Sequence, residues 1–204
     1  MVKSKKGLKF VFCLFTFLFL LSGCSSKPSV ELVSSKVEIR DDESRMGGIA
    51  ITTGDKKGKI IIPVGLSYDF VLKNNGKKTL GGTEKLNEQT FDYDDGIKVT
   101  VVPNEKFEAV LKEIMGINIF HFDKEGRQVA RLGTGESGVP TLEPNKEGTY
   151  TFDFILGAKE ENPELRLAPS EKQLKILEKH AMDVTLIITV KGKEIDRFDL
   201  SKLD

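Results

Sequence analysis

The chain has 204 residues, 39% hydrophobic and 30% charged, with 31 basic and 31 acidic side chains. That length suits one well-cored domain and is short for two. The first 23 residues hold four of the lysines (Lys3, Lys5, Lys6, Lys9) and no acid. The remainder therefore carries 27 basic against 31 acidic residues, a net charge of about −4, which gives no reason to expect nucleic acid, whose binding calls for a basic stripe.

In chain order, the basic start MVKSKKGLK leads into FVFCLFTFLFLL, residues 10–21. Twelve residues at about 1.5 Å each rise roughly 18 Å as a helix, well short of a ~30 Å hydrocarbon core. The length predicts a signal-peptide core, with an uncleaved anchor helix as the alternative. Next comes Leu21-Ser22-Gly23-Cys24, which resembles the lipobox of bacterial lipoproteins. The resemblance implies a diacylglycerol group on the sulfur of Cys24 and cleavage between Gly23 and Cys24, with Leu21, Ser22 and Gly23 recognised by the peptidase. A thiolate is a strong nucleophile, which suits that acceptor role. Each buried methylene contributes about 0.8 kcal/mol, so two or three acyl chains would hold the protein on the outer face of a membrane. Cys13 leaves with the signal peptide. The mature chain then has no second thiol for a disulfide, a cysteine-ligated zinc site or a thiol protease. The Ser- and Lys-rich stretch after Cys24, without an aromatic residue, predicts a tether over residues 24–36 and a folded domain over 37–204.

Within that domain the apolar residues alternate. Leu66, Tyr68, Phe70 and Leu72 share one face of a strand, and Asn75-Gly76 signals a tight turn with positive φ. Ile97, Val99 and Val101 alternate, as do Ile117 and Ile119, and then Tyr150, Phe152, Phe154 and Leu156. DVTLIITVKGKEIDRFDL predicts a closing hairpin that turns at Lys191-Gly192-Lys193. Two stretches have helical spacing. One is NEKFEAVLKEIMG, with Asn104 as cap, Phe107, Val110, Leu111 and Ile114 as the apolar stripe, and Gly116 as the stop. The other is SEKQLKILEKH, with a Ser170/Gln173 capping box. Both helices are expected across sheet edges or sandwich ends.

FVLKNNGKKTL and TLEPNKEGTYTFDF, with Leu142, Pro144, Gly148, Tyr150 and Phe152, resemble strand and turn segments of bacterial immunoglobulin-like domains carried by surface lipoproteins. The expected fold is mainly β: an immunoglobulin-like β-sandwich of about seven to nine strands with two short helices.

Catalytic patterns fail on context. GTGESG, Gly133 to Gly138, matches the dinucleotide fingerprint by letter, but Pro140 and Pro144 follow where a helix must start, so a surface loop is predicted. Asp92, Asp94 and Asp95 are the candidate cation ligands, although the twelfth position from Asp92 is Pro103 where an EF-hand needs glutamate. A solvated acidic turn is the alternative. Only His121 and His180 exist, and no serine sits in a nucleophile elbow. Lys56, Lys57, Lys59, Lys77 and Lys78 fall in turn-like segments, where solvated loops or contact with anionic polymers are the two readings. The expectation is a lipid-anchored extracytoplasmic binding or accessory module of the bacterial envelope, without a cofactor and not an enzyme, that recognises a protein partner. The alternatives are a small-ligand or calcium-binding surface lipoprotein and a carboxylate-dependent hydrolase.

Overall fold

The computed structural model describes residues 29–203, except 90, 124–127 and 131. Leu21, Ser22, Gly23 and Cys24 lie outside the described residues, as does the first part of the tether. Among the described residues are eleven strands and three α-helices. The first sheet is antiparallel, in the order β1 (Val30–Arg40), β4 (Pro63–Asn74), β9 (Glu147–Ala158), β7 (Thr134–Ser137). The second runs β11 (Lys193–Asp199), β10 (Val184–Val190), β6 (Ile97–Pro103). These seven strands make a sandwich-like pair around one core. Four two-residue strands form two small pairs: β2 (Ile49–Ala50) with β3 (Ile60–Ile61), and β5 (Leu80–Gly81) with β8 (Thr141–Leu142).

The long central strands follow directly from their alternation. Leu66, Tyr68, Phe70 and Leu72 of β4 and Tyr150, Phe152, Phe154 and Leu156 of β9 are all buried, because each set points to the face shared with the second sheet. Leu186 and Ile188 of β10 and Val101 of β6 meet them from the other side. Helix α2 (Glu105–Met115) starts where the Asn104 side chain accepts the Phe107 N–H at 3.1 Å, and it ends on Gly116 in the left-handed region. It buries Phe107, Leu111 and Met115, one residue per turn. Helix α3 (Glu171–His180) starts on the Ser170/Gln173 pair, with Gln173 Oε1 accepting from the Ser170 N–H at 3.0 Å, and buries Leu177. The β10–β11 hairpin turns on Lys191 (φ 53) and Gly192 (φ 69), the two positive φ values of a type I′ turn.

Four local expectations change. Residues 30–36, read as tether, form the first half of β1, which pairs with β4 from Val30↔Asn74 to Arg40↔Gly65. Asn75-Gly76 does not make a hairpin. The fully buried Asn74 instead accepts the Gly76 N–H (2.8 Å) and donates to the carbonyls of Lys78 and Leu142 (2.8 Å each). Its side chain does the work of the turn, so neither Asn75 nor Gly76 needs a positive φ. Ile117 and Ile119 do not lie in a strand. Asn118 Oδ1 accepts the Phe120 N–H at 2.9 Å, and the turn sends Ile119 and Phe120 together into the core. Finally, a one-turn helix, α1 (Glu43–Met46), lies on the outer face of the first sheet. Arg45 there bridges Asp69 (2.9 Å) and Asp153 (2.8 Å), while Ser67 donates to the same Asp153 oxygen at 2.6 Å.

Candidate functional site

β7 ends the first sheet and β6 ends the second, and the two free edges face one another across a groove of about 550 Å³. Tyr150 and Phe152 of β9, with Ile97 and Val99 of β6, supply its apolar lining, and Asp92, Lys98, Thr100, Glu136 and Ser137 make the rest polar. At one end the seam is closed by the Ile97 N–H, which donates to the Pro140 carbonyl at 2.9 Å. Beyond that bond neither edge has a strand partner on this side among the described residues, so each presents the row of backbone donors and acceptors typical of an edge strand.

The register of β7 explains why the seam stays open. Thr134 pairs with Phe154 and Glu136 with Phe152. Residues directly opposite in an antiparallel pair share a face, so Thr134 and Glu136 occupy the inward positions where a closed sandwich carries apolar side chains. Glu136 makes no hydrogen bond or ion pair to a described residue. The side chain is exposed at the groove mouth, and partial desolvation by the walls pushes its carboxyl above the usual carboxylate value, the nearby Asp92 adds to that, and Lys98 opposes it. Lys98 itself is held by Asp92 at 3.0 Å.

The rim is also unusual. Phe91 has φ 57, a region rarely adopted by residues with a side chain, and its ring is 80% exposed. Gly138 closes the other rim. A Cβ at that position would lie 2.5 Å from Cδ1 of Tyr150, whose hydroxyl donates to the Val139 carbonyl at 3.0 Å. Inward charge on an edge strand also deters pairing with another copy. That role does not call for apolar walls or for an aromatic ring held out in solvent at the rim.

Glu136→Gln should raise thermal stability at pH 7 and leave it unchanged near pH 3.5. An acid whose folded pKa is raised contributes full stability below its unfolded value near 4.5, and that contribution is lost as pH rises through the folded value. Glutamine removes the loss. Melting curves at the two pH values provide the check, and a variant less stable at pH 7 would point to a partner for the carboxylate.

The other candidate residues are dispersed. Asp92 pairs with Lys98, Asp94 accepts from Asn87 Nδ2 (3.2 Å), and the buried Asp95 accepts the Lys85 N–H (3.2 Å). The three carboxylates therefore do not converge as cation ligands, and no group of three or more His, Cys, Asp or Glu among the described residues is arranged to hold a metal. The GTGESG segment contains β7 and is an edge strand rather than a loop. His180 bonds Asp183 at 2.8 Å beneath α2, and His121 lies in the turn after Phe120; neither bonds a serine among the described residues. Lys56 pairs with Glu160 at 3.1 Å beside a second cavity of about 440 Å³ that Lys59 and Lys159 also line.

No family model, curated protein sequence or solved structure matches this chain. The groove's own chemistry therefore carries the functional reading. Sequence reasoning missed Glu136 because Thr134–Ser137 has no apolar residue to mark a strand, and only its pairing with β9 turns the carboxylate inward.

Proposed function

We propose that this protein is a lipid-anchored extracytoplasmic binding module of the bacterial envelope, attached through Cys24, which recognises a protein partner by seating an extended segment of it in the β6–β7 groove. The observation that carries the reading is the pair of strand edges, unpaired among the described residues, that face one cavity of mixed polar and apolar lining. An extended peptide placed there gains main-chain hydrogen bonds from one edge, and its alternate side chains fill the walls. The anchor reading draws on the lipobox-like Leu21 to Cys24 and the apolar run before it. The end of the sandwich from which the chain leaves toward Cys24 fits an anionic surface. There Ser29 accepts from the Asn75 N–H at 2.9 Å, and the exposed Lys77, Lys78 and Lys146 sit on the adjoining turns. Cys24 is six residues from Val30, at most about 20 Å of extended chain, which would keep the groove close to the membrane.

The test is photocrosslinking of the full chain in its own membrane. Benzoylphenylalanine at position 91, on the groove rim, should yield a protein adduct of one discrete mass. The same group at Ile60, exposed beside the second cavity, should not. No adduct from position 91, or the same adducts from both positions, would count against the groove.

A further inference from the structure

Resting on the strand-docking reading, we infer that the groove selects an extended segment bearing a lysine or arginine, whose cationic head meets the inward carboxylate of Glu136. Three features of the groove lead there. Glu136 faces the seam between the sheets and has no hydrogen-bond or ion-pair partner among the described residues. Lys98, the described cation that acts on it, is engaged by Asp92 at 3.0 Å, so the balance of Glu136, Asp92 and Lys98 is one negative charge. The walls beside it are the rings of Tyr150 and Phe152 with the aliphatic Ile97 and Val99, a surface suited to the methylene stem of a long basic side chain. Aromatic faces next to a cation add a further attraction.

The alternatives fit less well. A wholly apolar strand would strip the remaining water from Glu136 and leave a charge buried without a partner, which is the costly case. An acidic segment would add a third carboxylate next to Glu136 and Asp92. A strand with a basic residue at one inward position satisfies the backbone edge and the carboxylate together, so a single position of the segment should carry the selectivity.

Selection of phage-displayed random nonapeptides on the lipidated full chain in nanodiscs tests this directly. Retained peptides should share Lys or Arg at one position, and replacing that residue by norleucine should weaken binding by about tenfold or more. The Glu136→Gln chain, shown to be folded by circular dichroism, should lose the preference for a cation while still retaining peptides through the strand edge. The Glu136→Lys chain should select Asp or Glu at the same position. Peptides retained with no cation preference, or a preference that survives Glu136→Gln, would overturn the inference and leave strand docking standing. A wild-type chain that retains no peptide of any composition would overturn both.

Discussion

Replacing Cys24 by alanine should abolish acylation completely: no radiolabelled palmitate on the protein, and a chain that keeps its first 23 residues instead of starting at position 24. The effect is all-or-none because the reaction needs one atom. In the proposed lipidation the acceptor is the sulfur of Cys24, the only thiol at the end of the apolar run, and peptidase recognition of Leu21, Ser22 and Gly23 is tied to the lipidated cysteine in the lipoproteins that this segment resembles. Cys13→Ala provides the internal control, since that residue lies within the apolar run and should leave labelling and processing intact. Mass spectrometry of the N-terminal peptide distinguishes the outcomes. A Cys24→Ala protein that still takes up palmitate would overturn the anchor.

Tyr68→Ala is expected to reduce stability by about 3–5 kcal/mol, a large share of the 5–15 kcal/mol typical of a domain. Tyr68 is fully buried in β4. Its ring stacks on Phe70 at 5.8 Å and meets Phe120 and Phe154 edge-on at 6.1 Å each. Its hydroxyl donates to the Ala181 carbonyl at 2.8 Å, so the same side chain fills the core and ties the first sheet to the end of α3. Tyr68→Phe keeps the ring but strands that carbonyl in the core, and should cost about 1–2 kcal/mol. The pair of variants separates packing from hydrogen bonding in urea titrations at pH 7. Alkaline pH adds a second readout. Burial holds the Tyr68 hydroxyl well above its ordinary value of 10.0, so the unfolded chain releases this proton first. Stability is therefore full below pH 10 and falls as pH rises beyond it. Tyr68→Phe should reduce the slope of that fall, leaving the similarly shifted Tyr150 to supply the rest.

The parts of the fold that were legible in the sequence share one physical cause. Period two appears in β4 and β9 because both lie inside the first sheet with one face fully buried, so every second residue had to be apolar. Helix α2 announced itself through local chemistry, the Asn104 cap and the Gly116 stop, which needs no tertiary partner. The edge strands of the first sheet gave no such signal. β1 is half solvated along its length and β7 wholly so, and their serines, lysines and glycines reflect that exposure rather than their backbone pairing. The groove was therefore legible on one side alone: β6 showed its alternation at Ile97, Val99 and Val101, while β7 showed none. The aspartates at 92, 94 and 95 were conspicuous as a run, yet each is used by a different neighbour.

The pairing of β4 with β9 also bears on how the protein reaches its final form. Lys73 pairs with Glu147 and Pro63 with Ala158, separations of 74 and 95 residues, and in the second sheet Ile97 pairs with Val190, 93 residues away. Among the described residues only the β10–β11 hairpin, the two-residue β2–β3 pair and β7–β9, where Ser137 pairs with Thr151, join strands close in sequence, so most of the nucleus has to wait for distant contacts. Folding is therefore expected on the slower, millisecond-to-second scale of β topologies, and neither main sheet can be completed until the chain is available to residue 158 for the first and 199 for the second. Until then it remains an open polymer, which is the form that the export proposed above would require, and it closes only once most of its length is free.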